Sequence, residues 1–317
     1  MAKISVVIPV YGVEKYIERC ARSLFEQTLD DIEYLFIDDC TPDKSIDILV
    51  KVLADYPNRK SQVSIHRMQE NSGQAKVREY GMKLASGDYI IHCDTDDWLE
   101  KDMYLQLYNC AISTHSDIVF CDYFLEYDSG CSVYFHRNIP FSNKIQLIEL
   151  MLSGFYNANA LWGALVNRNL LRGLLYPTGN QGEDSVIMMQ LIYNSSKMMY
   201  LKVPLYHYYI NSSSITRSTD FDKVKNRVYD GISNVAVLSD FLKRVDLLDR
   251  FSEQFVSYKY NIRLFLWNYM ANKCCREMWN KVFPEINSKI IFNKFIPFRL
   301  KLYQLIYLFG MSRYFSH

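Results

Sequence analysis

The sequence lacks long hydrophobic runs, a pronounced net charge and any regular cysteine spacing. No apolar run approaches the roughly 18 residues that a membrane-spanning helix needs. The 317 residues carry a formal net charge of +1, which argues against a general nucleic-acid binder. The eight cysteines show no C-x-x-C spacing, which favours reduced thiols in a cytosolic protein over a disulfide framework or a zinc site. The opening apolar segment Ile4–Val10 is too short, and too soon followed by charges, for a secretion signal.

Hydrophobic residues make up 49% of the chain, enough for a sizeable core. Up to about residue 100, short apolar runs alternate with helical patterns, which predicts βαβ units and a mostly parallel sheet flanked by helices. The predicted strands are Ile4–Val10, Tyr34–Ile37, Val63–His66 and Tyr89–Cys93. The predicted helices are Glu14–Gln27, one that opens at Thr41-Pro42, and Gln74–Ala85.

Beyond residue 100 the regular alternation of strand and helix patterns ends. A helix is predicted from Trp98 to Ser113, strands and helices then mix, and the pattern is helical from about Asp222 onward. We therefore predict a first domain over residues 1–218, whose pattern changes at about residue 100. A helical C-terminal region is predicted over residues 219–317.

Carboxylates follow two of the predicted buried strands. Asp38-Asp39 follows the second, and Asp94-Thr95-Asp96-Asp97 follows the fourth. In parallel sheets, ligands bind beyond the carboxyl ends of the strands. Side chains at i and i+2 leave a strand from the same face, so Asp94 and Asp96 can present two oxygen ligands to one divalent cation. Asp97 is interpreted as the cap of the next helix.

Six short motifs in a fixed order accompany these strand ends. They are Ile8-Pro9-Val10-Tyr11 with Glu14; Ile37-Asp38-Asp39 with Asp43; Asn71-Ser72-Gly73 with Arg78 and Gly81; Ala85-Ser86-Gly87-Asp88-Tyr89; Asp94-Thr95-Asp96-Asp97; and Gly182-Glu183-Asp184. Together they resemble the family 2 glycosyltransferases, which are inverting enzymes with a nucleotide-sugar-binding GT-A fold. The likeness is dense over residues 1–100 and thinner to about residue 215.

The resemblance implies that the first domain has a donor half over about residues 1–100, with a nucleotide-sugar site, and an acceptor half over about 100–218. Asp39 would accept the ring N–H of a uridine base, and Asp94 would lie nearest the ribose. Tyr11 would stack on the nucleotide. The other residues implied in this site are Pro9, Val10, Glu14, Gly73, Arg78 and Thr95.

The resemblance also implies a metal-dependent inverting reaction. Asp96 would bind Mn²⁺ or Mg²⁺, which neutralises charge on the departing nucleoside diphosphate. Asp184 resembles the catalytic base, which takes the proton of the acceptor hydroxyl. Glu183 would orient Asp184 or contact the acceptor.

Two residues of the implied site keep two interpretations each. His207 belongs to Tyr206-His207-Tyr208-Tyr209, which with Ser213-Ser214-Ile215-Thr216 resembles a segment that closes over the diphosphate. His207 is therefore either a metal or phosphate contact or a hydrogen-bonded core histidine. Trp162 either shapes the acceptor pocket or only packs.

The sequence departs from the family pattern at three places. Gly12 stands where an Asn is usual, and Cys40 replaces the usual Gly after Asp-Asp. Val77-Arg78-Glu79 replaces the common Ala-Arg-Asn, which leaves the pose of the donor phosphates open. The implied metal and base carboxylates, Asp96 and Asp184, are intact.

The C-terminal stretch is basic and aromatic. No acidic residue follows Glu285, while basic residues alternate with Phe, Ile, Leu and Tyr; these are Lys289, Lys294, Arg299, Lys301 and Arg313. The composition suits a helix that lies on an anionic membrane surface. It also suits an ordinary docked helix with a basic exposed face.

The resemblance therefore implies a bacterial enzyme, a hexosyl- or N-acetylhexosaminyl-transferase of surface polysaccharide synthesis. It would use a nucleotide sugar, most simply a UDP-sugar, and a saccharide or lipid-linked saccharide acceptor. We expect a cytoplasmic protein with no nucleic-acid partner, with or without peripheral contact at the inner face of the plasma membrane. The alternatives are a nucleotide-sugar-forming nucleotidyltransferase, which would want a Gly-rich phosphate loop, and a non-catalytic saccharide-binding protein.

Overall fold

The computed structural model describes residues 2–138, 143–156, 158–210 and 221–311. The chain forms two compact units. The first comprises Met1–Phe141, Asn159–Leu174 and Gln190–Ser214; the second comprises Ser142–Ala158, Leu175–Met189 and Ile215–His317. The predicted domain boundary at residue 218 lies outside the described residues and stays a prediction.

One sheet runs through the first unit. Over the described residues its nine strands are β1 (Ile4–Val10), β2 (Ile32–Asp38), β3 (Val63–Arg67), β4 (Tyr89–His92), β5 (Trp98–Leu99), β6 (Ile118–Tyr127), β7 (Ser132–Phe135), β8 (Ala164–Asn167) and β9 (Met198–Ile210). Their order across the sheet is β3-β2-β1-β4-β8-β6-β9-β5, and β7 pairs with β6.

The predicted parallel arrangement is confirmed for the first four strands. β1 lies parallel to both β2 and β4, and β2 lies parallel to β3. The later strands mix directions: β8 is antiparallel to β4 and β6, and β5 is antiparallel to β9. The strands β5 and β8 were not predicted, because both are short and depend on antiparallel pairing with strands distant in the sequence.

Helices connect the strands of the first unit and make up most of the second. Within the described residues they are α1 (Ile17–Phe25), α2 (Ser45–Ala54), α3 (Gln74–Leu84), α4 (Met103–Thr114), α5 (Lys144–Ser153), α6 (Glu183–Asn194), α7 (Phe221–Arg244), α8 (Ser252–Arg263), α9 (Lys273–Trp279) and α10 (Phe298–Leu308). None of the helices in this part of the chain is long and apolar enough to cross a bilayer.

Two predicted helix starts are wrong. The helix after β2 begins at Ser45 rather than at Thr41-Pro42, because the Thr41 hydroxyl is used elsewhere: it donates to Asp43 Oδ1 at 2.7 Å and accepts from Gly12 N at 2.9 Å. The helix predicted from Trp98 begins at Met103 instead. Trp98 and Leu99 pair with β9, and this strand pairing takes the place of the first helical turn.

The alternation of β1 explains why both faces of the sheet are covered. Ile4, Val6, Ile8 and Val10 belong to the large core cluster that includes α1 residues such as Leu24. Val7 points to the other face and packs with Leu35, Ile37 and Val77. Strands buried on both faces appear as continuous apolar runs, which is the pattern that the sequence has there.

The second unit has its own core around two tryptophans. Trp267 and Trp279 lie 5.5 Å apart between ring centroids, among apolar residues of α7, α8 and α9. Arg263 is fully buried beside them. Its guanidinium donates to Val282 O and to Asn287 Oδ1, at 3.0 and 2.7 Å. Burial lowers the pKa of this guanidinium to about 10.

Gly81 allows α3 to approach β1 closely. A Cβ at this position would lie 2.4 Å from Val7 Cγ1, inside van der Waals contact, and 3.4 Å from Ile37 Cγ1. Val7 is fully buried and β-branched, so its side chain cannot easily rotate away.

We expect Gly81→Ala to destabilise the protein by about 1–3 kcal/mol through overpacking. This penalty exceeds the gain of about 1 kcal/mol that Ala has over Gly in a helix. In a Val7→Ala background the clash is gone, so the same substitution should be neutral or stabilising. Urea denaturation of the two single variants and the double variant measures the coupling. A stabilising Gly81→Ala in the wild-type background would contradict this packing.

Candidate active site

The turn after β4 is tied to the end of β1. Thr95 is buried, and its hydroxyl donates to Pro9 O at 3.1 Å. Its neighbours Asp94 and Asp96 are half-buried, whereas Asp97 is fully buried. The turn thus alternates between residues held inside and carboxylates that remain accessible. The two carboxylates that the sequence singled out are the accessible ones.

Asp97 anchors this turn to β9, so its predicted role as a helix cap is wrong. Its Oδ2 accepts from the Tyr206 hydroxyl at 2.6 Å, and its Oδ1 accepts from Tyr209 N at 2.8 Å. The Tyr206 hydroxyl also accepts from Asp94 N at 3.2 Å. Burial, and then the charges of Asp96 and Asp94, raise the pKa of the Asp97 carboxyl group well above its ordinary value.

Asp94 and Arg78, both predicted in the nucleotide-sugar site, lie together. Arg78 Nη2 is 2.7 Å from Asp94 Oδ1, and the Arg78 side chain is 4% exposed. A buried cation at the base of the turn neutralises one carboxylate of the pair. It also fixes the direction in which Asp94 points, because a charge-assisted hydrogen bond is short and strong.

Asp96 is the carboxylate of this turn that retains uncompensated negative charge. Burial, followed by the charge of Asp94, raises its pKa from the ordinary 3.8 to about 6. The charge of Arg19 offsets this rise only in part, and its Nη2 donates to the backbone Asp96 O at 2.8 Å rather than to the side chain. A half-buried carboxylate that lies next to another negative charge attracts a cation, because the cation stabilises the ionised form.

No group of three or more His, Cys, Asp or Glu side chains among the described residues could hold a metal ion. A metal bound at Asp96 would therefore take most of its ligands from a substrate or from water. That fits Mg²⁺-like ions, which are usually held by one or two carboxylates together with substrate phosphates.

The predicted base-binding side of the site is braced by loop hydrogen bonds. Asp39 is buried; its Oδ1 accepts from Ser72 N at 2.7 Å and its Oδ2 from Gly73 N at 2.9 Å. Its own N–H donates to Val10 O at 3.0 Å, which joins the ends of β1 and β2. Each carboxylate oxygen keeps a second lone pair, so these bonds leave room for another donor. The Tyr11 side chain is 49% exposed beside the end of β1.

Asp43 joins the loops after β1 and β2. It accepts hydrogen bonds from Glu14 N at 3.0 Å and from Ser45 N at 3.1 Å, and these and the neighbouring hydroxyls lower its pKa to about 2. Glu14 is exposed, and its Oε2 accepts from Lys44 N at 3.2 Å. Asp38 is buried and accepts from Thr41 N at 2.8 Å.

Two of the sequence departures fall on left-handed backbone. Gly12 has φ +66°, a conformation that Gly and Asn both tolerate. Cys40 has φ +57° at the position where Gly is usual, and its Sγ lies 3.1 Å from Met68 O. The Gly-for-Asn replacement is therefore conformationally neutral, and the Cys-for-Gly replacement carries strain.

His207 has the hydrogen-bonded arrangement rather than an open ring nitrogen. Its Nδ1 lies 2.7 Å from Glu126 Oε1, and its Nε2 lies 3.0 Å from Glu100 Oε1. The imidazole is stacked between Trp98 and Phe124, with ring centroids 5.0 and 4.9 Å away. Both nitrogens are already in use, so the arrangement does not favour the alternative in which His207 contacts a metal or phosphate.

Trp162 lies in an aromatic stack of the first unit. It is 8% exposed and nearly parallel to Tyr206, with centroids 4.2 Å apart, and Tyr123 meets it edge-on at 4.9 Å. The Arg137 guanidinium lies 4.8 Å from its centroid. These contacts correspond to the packing interpretation, and they make Trp162 a support for Tyr206.

Glu183 and Asp184 open α6 in the second unit. Glu183 is buried, while Asp184 is half-buried and its Oδ1 accepts from Ser185 N at 2.7 Å. In the same unit, desolvation and the charges of Asp184 and Glu183 raise the pKa of Tyr258 to about 12. The segment Ser213–Thr216, predicted to close over the diphosphate, lies outside the described residues.

The sequence did not reveal Tyr206 or Arg19 as parts of the site. Arg19 lies on α1, with its guanidinium 3.7 Å from the centre of the Trp98 ring. The tyrosine-rich run of β9 resembles part of a segment that closes over the diphosphate. Its hydrogen bonds to Asp97, however, depend on strand pairing that no short-range pattern predicts.

Comparison with known proteins decides the family. The family model described as "Glycosyl transferase family 2" matches residues 5–169, about half of the chain. The chain belongs to glycosyltransferase family 2. The matched segment contains the turn after β4 and the loops after β1 and β2, but not β9, which holds Asp97. The resemblance noted from the motifs is therefore confirmed, as is the expectation of a glycosyltransferase.

Two curated bacterial relatives support this assignment. Glycosyltransferase GlyA of Streptococcus pneumoniae is 30% identical over 227 residues, which cover 68% of this chain and 32% of the relative. The putative glycosyltransferase EpsH of Bacillus subtilis is 31% identical over 226 residues, which cover 68% of this chain and 62% of the relative. The chain thus spans from about a third to about three fifths of the length of these relatives.

Solved structures with low sequence identity share the fold. S. aureus TarS 1–349 in complex with UDP-GlcNAc aligns with a TM-score of 0.61 at 16% identity, over 97% of this chain and 92% of that one. The mannosyltransferase PcManGT from Pyrobaculum calidifontis, in complex with GDP-Man and Mn²⁺, aligns with a TM-score of 0.50 at 12% identity, over 98% of this chain and 86% of that one. The predicted α/β architecture of GT-A type, with a helical C-terminal region, is confirmed.

We expect Cys40→Gly to be more stable than Cys40→Ala by roughly 1 kcal/mol. Both variants lose the thiol, but only Ala keeps a Cβ in the left-handed conformation, which costs about 1–2 kcal/mol before the higher entropy of unfolded Gly is subtracted. Thermal or urea denaturation of the pair measures the difference. Equal stabilities would show that Cys40 is not strained.

We expect Asp96→Asn to raise the free energy of unfolding by about 1–3 kcal/mol at pH 7 in metal-free buffer. The pKa of Asp96 is about 6 in the folded protein and near 3.8 when unfolded, so the wild type loses stability as pH rises through that interval. Asn does not ionise, so the difference should grow between about pH 4 and 6 and then stay constant.

The matched control is Asp88→Asn, which removes a carboxylate from an exposed position just before β4. Its stability should stay close to wild type over the same pH range. If urea denaturation at pH 4, 6 and 8 gives the two variants the same free energy of unfolding, ionised Asp96 does not destabilise the folded protein.

Proposed function

We propose that this chain is a metal-dependent inverting glycosyltransferase of bacterial surface polysaccharide synthesis. It moves a hexose or N-acetylhexosamine from a UDP-sugar to a saccharide or lipid-linked saccharide acceptor. The observation that carries the proposal is the turn after β4, where Asp94 and Asp96 remain accessible while Thr95 and Asp97 hold the backbone from inside.

The donor proposal draws on the base side of the site. Asp39 supplies carboxylate oxygens at the end of β2, next to the exposed Tyr11 ring at the end of β1. A carboxylate accepts the ring N–H that uracil offers, and an exposed aromatic ring can stack on the base. The TarS structures in complex with UDP-GlcNAc or UDP share this fold, which is consistent with a UDP-sugar for this chain.

The donor diphosphate is proposed to bind with Mn²⁺ or Mg²⁺ at Asp96. The chemistry of the residues fits a cation, because the pKa of Asp96 is raised partly by the charge of Asp94. When bound, the ion supplies Lewis-acid neutralisation of the diphosphate. The chain contributes Asp94 near the ribose, with its direction fixed by Arg78. PcManGT, crystallised with GDP-Man and Mn²⁺, shares the fold and supports this proposal.

Asp184 is proposed as the general base. It takes the proton of the acceptor hydroxyl while that oxygen attacks the anomeric carbon on the side opposite the leaving nucleoside diphosphate, so the configuration inverts. Its Oδ1 accepts from Ser185 N at 2.7 Å, which helps to orient the carboxylate. Glu183 is buried directly before it and is assigned a positioning role.

The protein is proposed to work in the cytoplasm, with peripheral contact at the inner face of the plasma membrane. A lipid-linked acceptor on that leaflet would place the substrate at the bilayer surface. The basic and aromatic C-terminal stretch noted in the sequence supports such contact.

We expect Asp184→Asn to lower the transfer rate by about 10²–10⁴-fold, the usual contribution of a general base. Asn keeps the Oδ1 acceptor for Ser185 N, so folding and UDP binding should stay at wild-type levels. Purified protein with Mn²⁺ is screened against UDP-sugars, with UDP release and transfer to saccharide acceptors measured separately. Titration calorimetry reports UDP binding.

Three results would count against parts of the proposal. Absence of UDP binding and of UDP-sugar turnover with Mn²⁺ would remove the donor assignment. Full activity after treatment with EDTA would remove the metal. Wild-type transfer by Asp184→Asn would reassign the base.

A further inference from the structure

The outer face of α10 carries large apolar side chains in solvent. We define this outer face by Phe298, Leu302 and Phe309, which are 73%, 37% and 73% exposed. At about 100° per residue they lie within roughly 40° of one another around the helix axis. Phe292, in the segment before α10, is 88% exposed and adds a further ring.

The opposite face of α10 is fully engaged with the second unit's core. The Tyr303 ring stacks on Trp267 with centroids 4.2 Å apart. Gln304 is buried, and its Oε1 accepts from Trp279 Nε1 at 2.8 Å. The helix is thus held in one rotation, and the exposure of the outer face is fixed by packing rather than by fraying.

Large apolar side chains exposed side by side on a helix are unusual unless that surface binds a partner. Large apolar side chains are normally buried, and contiguous exposed patches mark places that bind something. Each exposed phenylalanine leaves apolar area in water that would contribute free energy on transfer to a nonpolar environment.

The charges around the outer face indicate what it binds. Arg299 and Lys301 belong to the same helix, next to the apolar stripe on its two sides. Lys289 is exposed, and Lys294 is exposed with an ion pair to Glu253 at 3.3 Å. No acidic residue follows Glu285 in the sequence. An apolar stripe between cations complements a surface that has anionic groups on its outside and an apolar interior beneath them.

We infer that the outer face of α10 docks on an anionic lipid bilayer. Phe298, Leu302 and Phe309 enter the boundary between headgroups and acyl chains, while Arg299 and Lys301 contact the lipid phosphates. The helix lies in the plane of the surface, because its eleven residues span only about 16 Å, roughly half of a hydrocarbon core. The inference rests on the peripheral membrane contact proposed above and names the surface that makes it, whereas it depends on neither the donor nor catalysis.

Vesicle co-sedimentation of the full chain without substrates tests it. We expect binding to vesicles of about 30% phosphatidylglycerol in phosphatidylcholine, and at least about tenfold weaker binding to phosphatidylcholine alone. Binding should fall between about 50 and 500 mM NaCl, because salt screens the charge contribution. Equal binding to both vesicle types, or none to either, would overturn the inference.

The triple variant Phe298→Ser, Leu302→Gln, Phe309→Ser should bind anionic vesicles at least about tenfold more weakly than wild type. Its melting temperature should fall by a few degrees at most, because Phe298 and Phe309 are largely exposed and only Leu302, at 37% exposed, has much of its surface covered. The matched control is Val50→Ser with Ile112→Ser, two exposed aliphatic residues on α2 and α4 of the first unit, which should bind as wild type. Arg299→Gln with Lys301→Gln should reduce the preference for phosphatidylglycerol while keeping weak binding.

A second copy of the chain is the competing occupant of this face. Light scattering with size exclusion decides it: a dimer that the triple variant dissociates, together with no vesicle binding by wild type, overturns membrane docking. Membrane docking is supported if the wild type is a monomer that binds anionic vesicles, and if the triple variant loses this binding while the variant with Val50→Ser and Ile112→Ser keeps it.

Discussion

The candidate donor site depends on a buried carboxyl group, that of Asp97. It receives hydrogen bonds from the Tyr206 hydroxyl and from Tyr209 N, and so joins the turn after β4 to a strand more than a hundred residues later. The same tyrosine hydroxyl accepts from Asp94 N. A buried polar network of this kind is stable only when every member has a partner, and then it permits a single geometry. Asp94 and Asp96 owe their positions to it.

That rigidity has an electrostatic cost. Three carboxyl groups lie within four residues, and only Asp94 faces a buried guanidinium among the ion pairs seen for them. Burial, together with the charges of the neighbouring carboxylates, raises the pKa of Asp96 to about 6 and raises that of Asp97 well above its ordinary value. The cation proposed at Asp96 would offset part of this cost, and a functional site that lowers the stability of its scaffold is a common relation.

Local patterns predicted the parallel part of the fold well. β1 has the predicted bounds, and β2, β3 and β4 differ from prediction by a residue or two, because each is an apolar run bounded by polar turns. The wrong helix starts lie where one side chain can either cap a helix or bond to a distant part of the chain. Thr41 and Asp97 both stand before helices and match cap patterns, yet each is used in a contact with a distant loop or strand. Cap patterns describe local alternatives and cannot weigh a tertiary competitor.

The sequence by itself determined the family, the parallel strands and the order of the carboxylates along the chain, because short motifs at strand ends keep their spacing whatever the rest does. Only the tertiary structure decided which of those carboxylates is buried, which is paired and which remains accessible. It also turned His207 and Trp162 into parts of aromatic stacks and fixed the rotation of α10 by packing Tyr303 and Gln304 inward. Burial and pairing are set by neighbours distant in sequence, and these are the quantities that govern a pKa, a metal preference or an exposed apolar face.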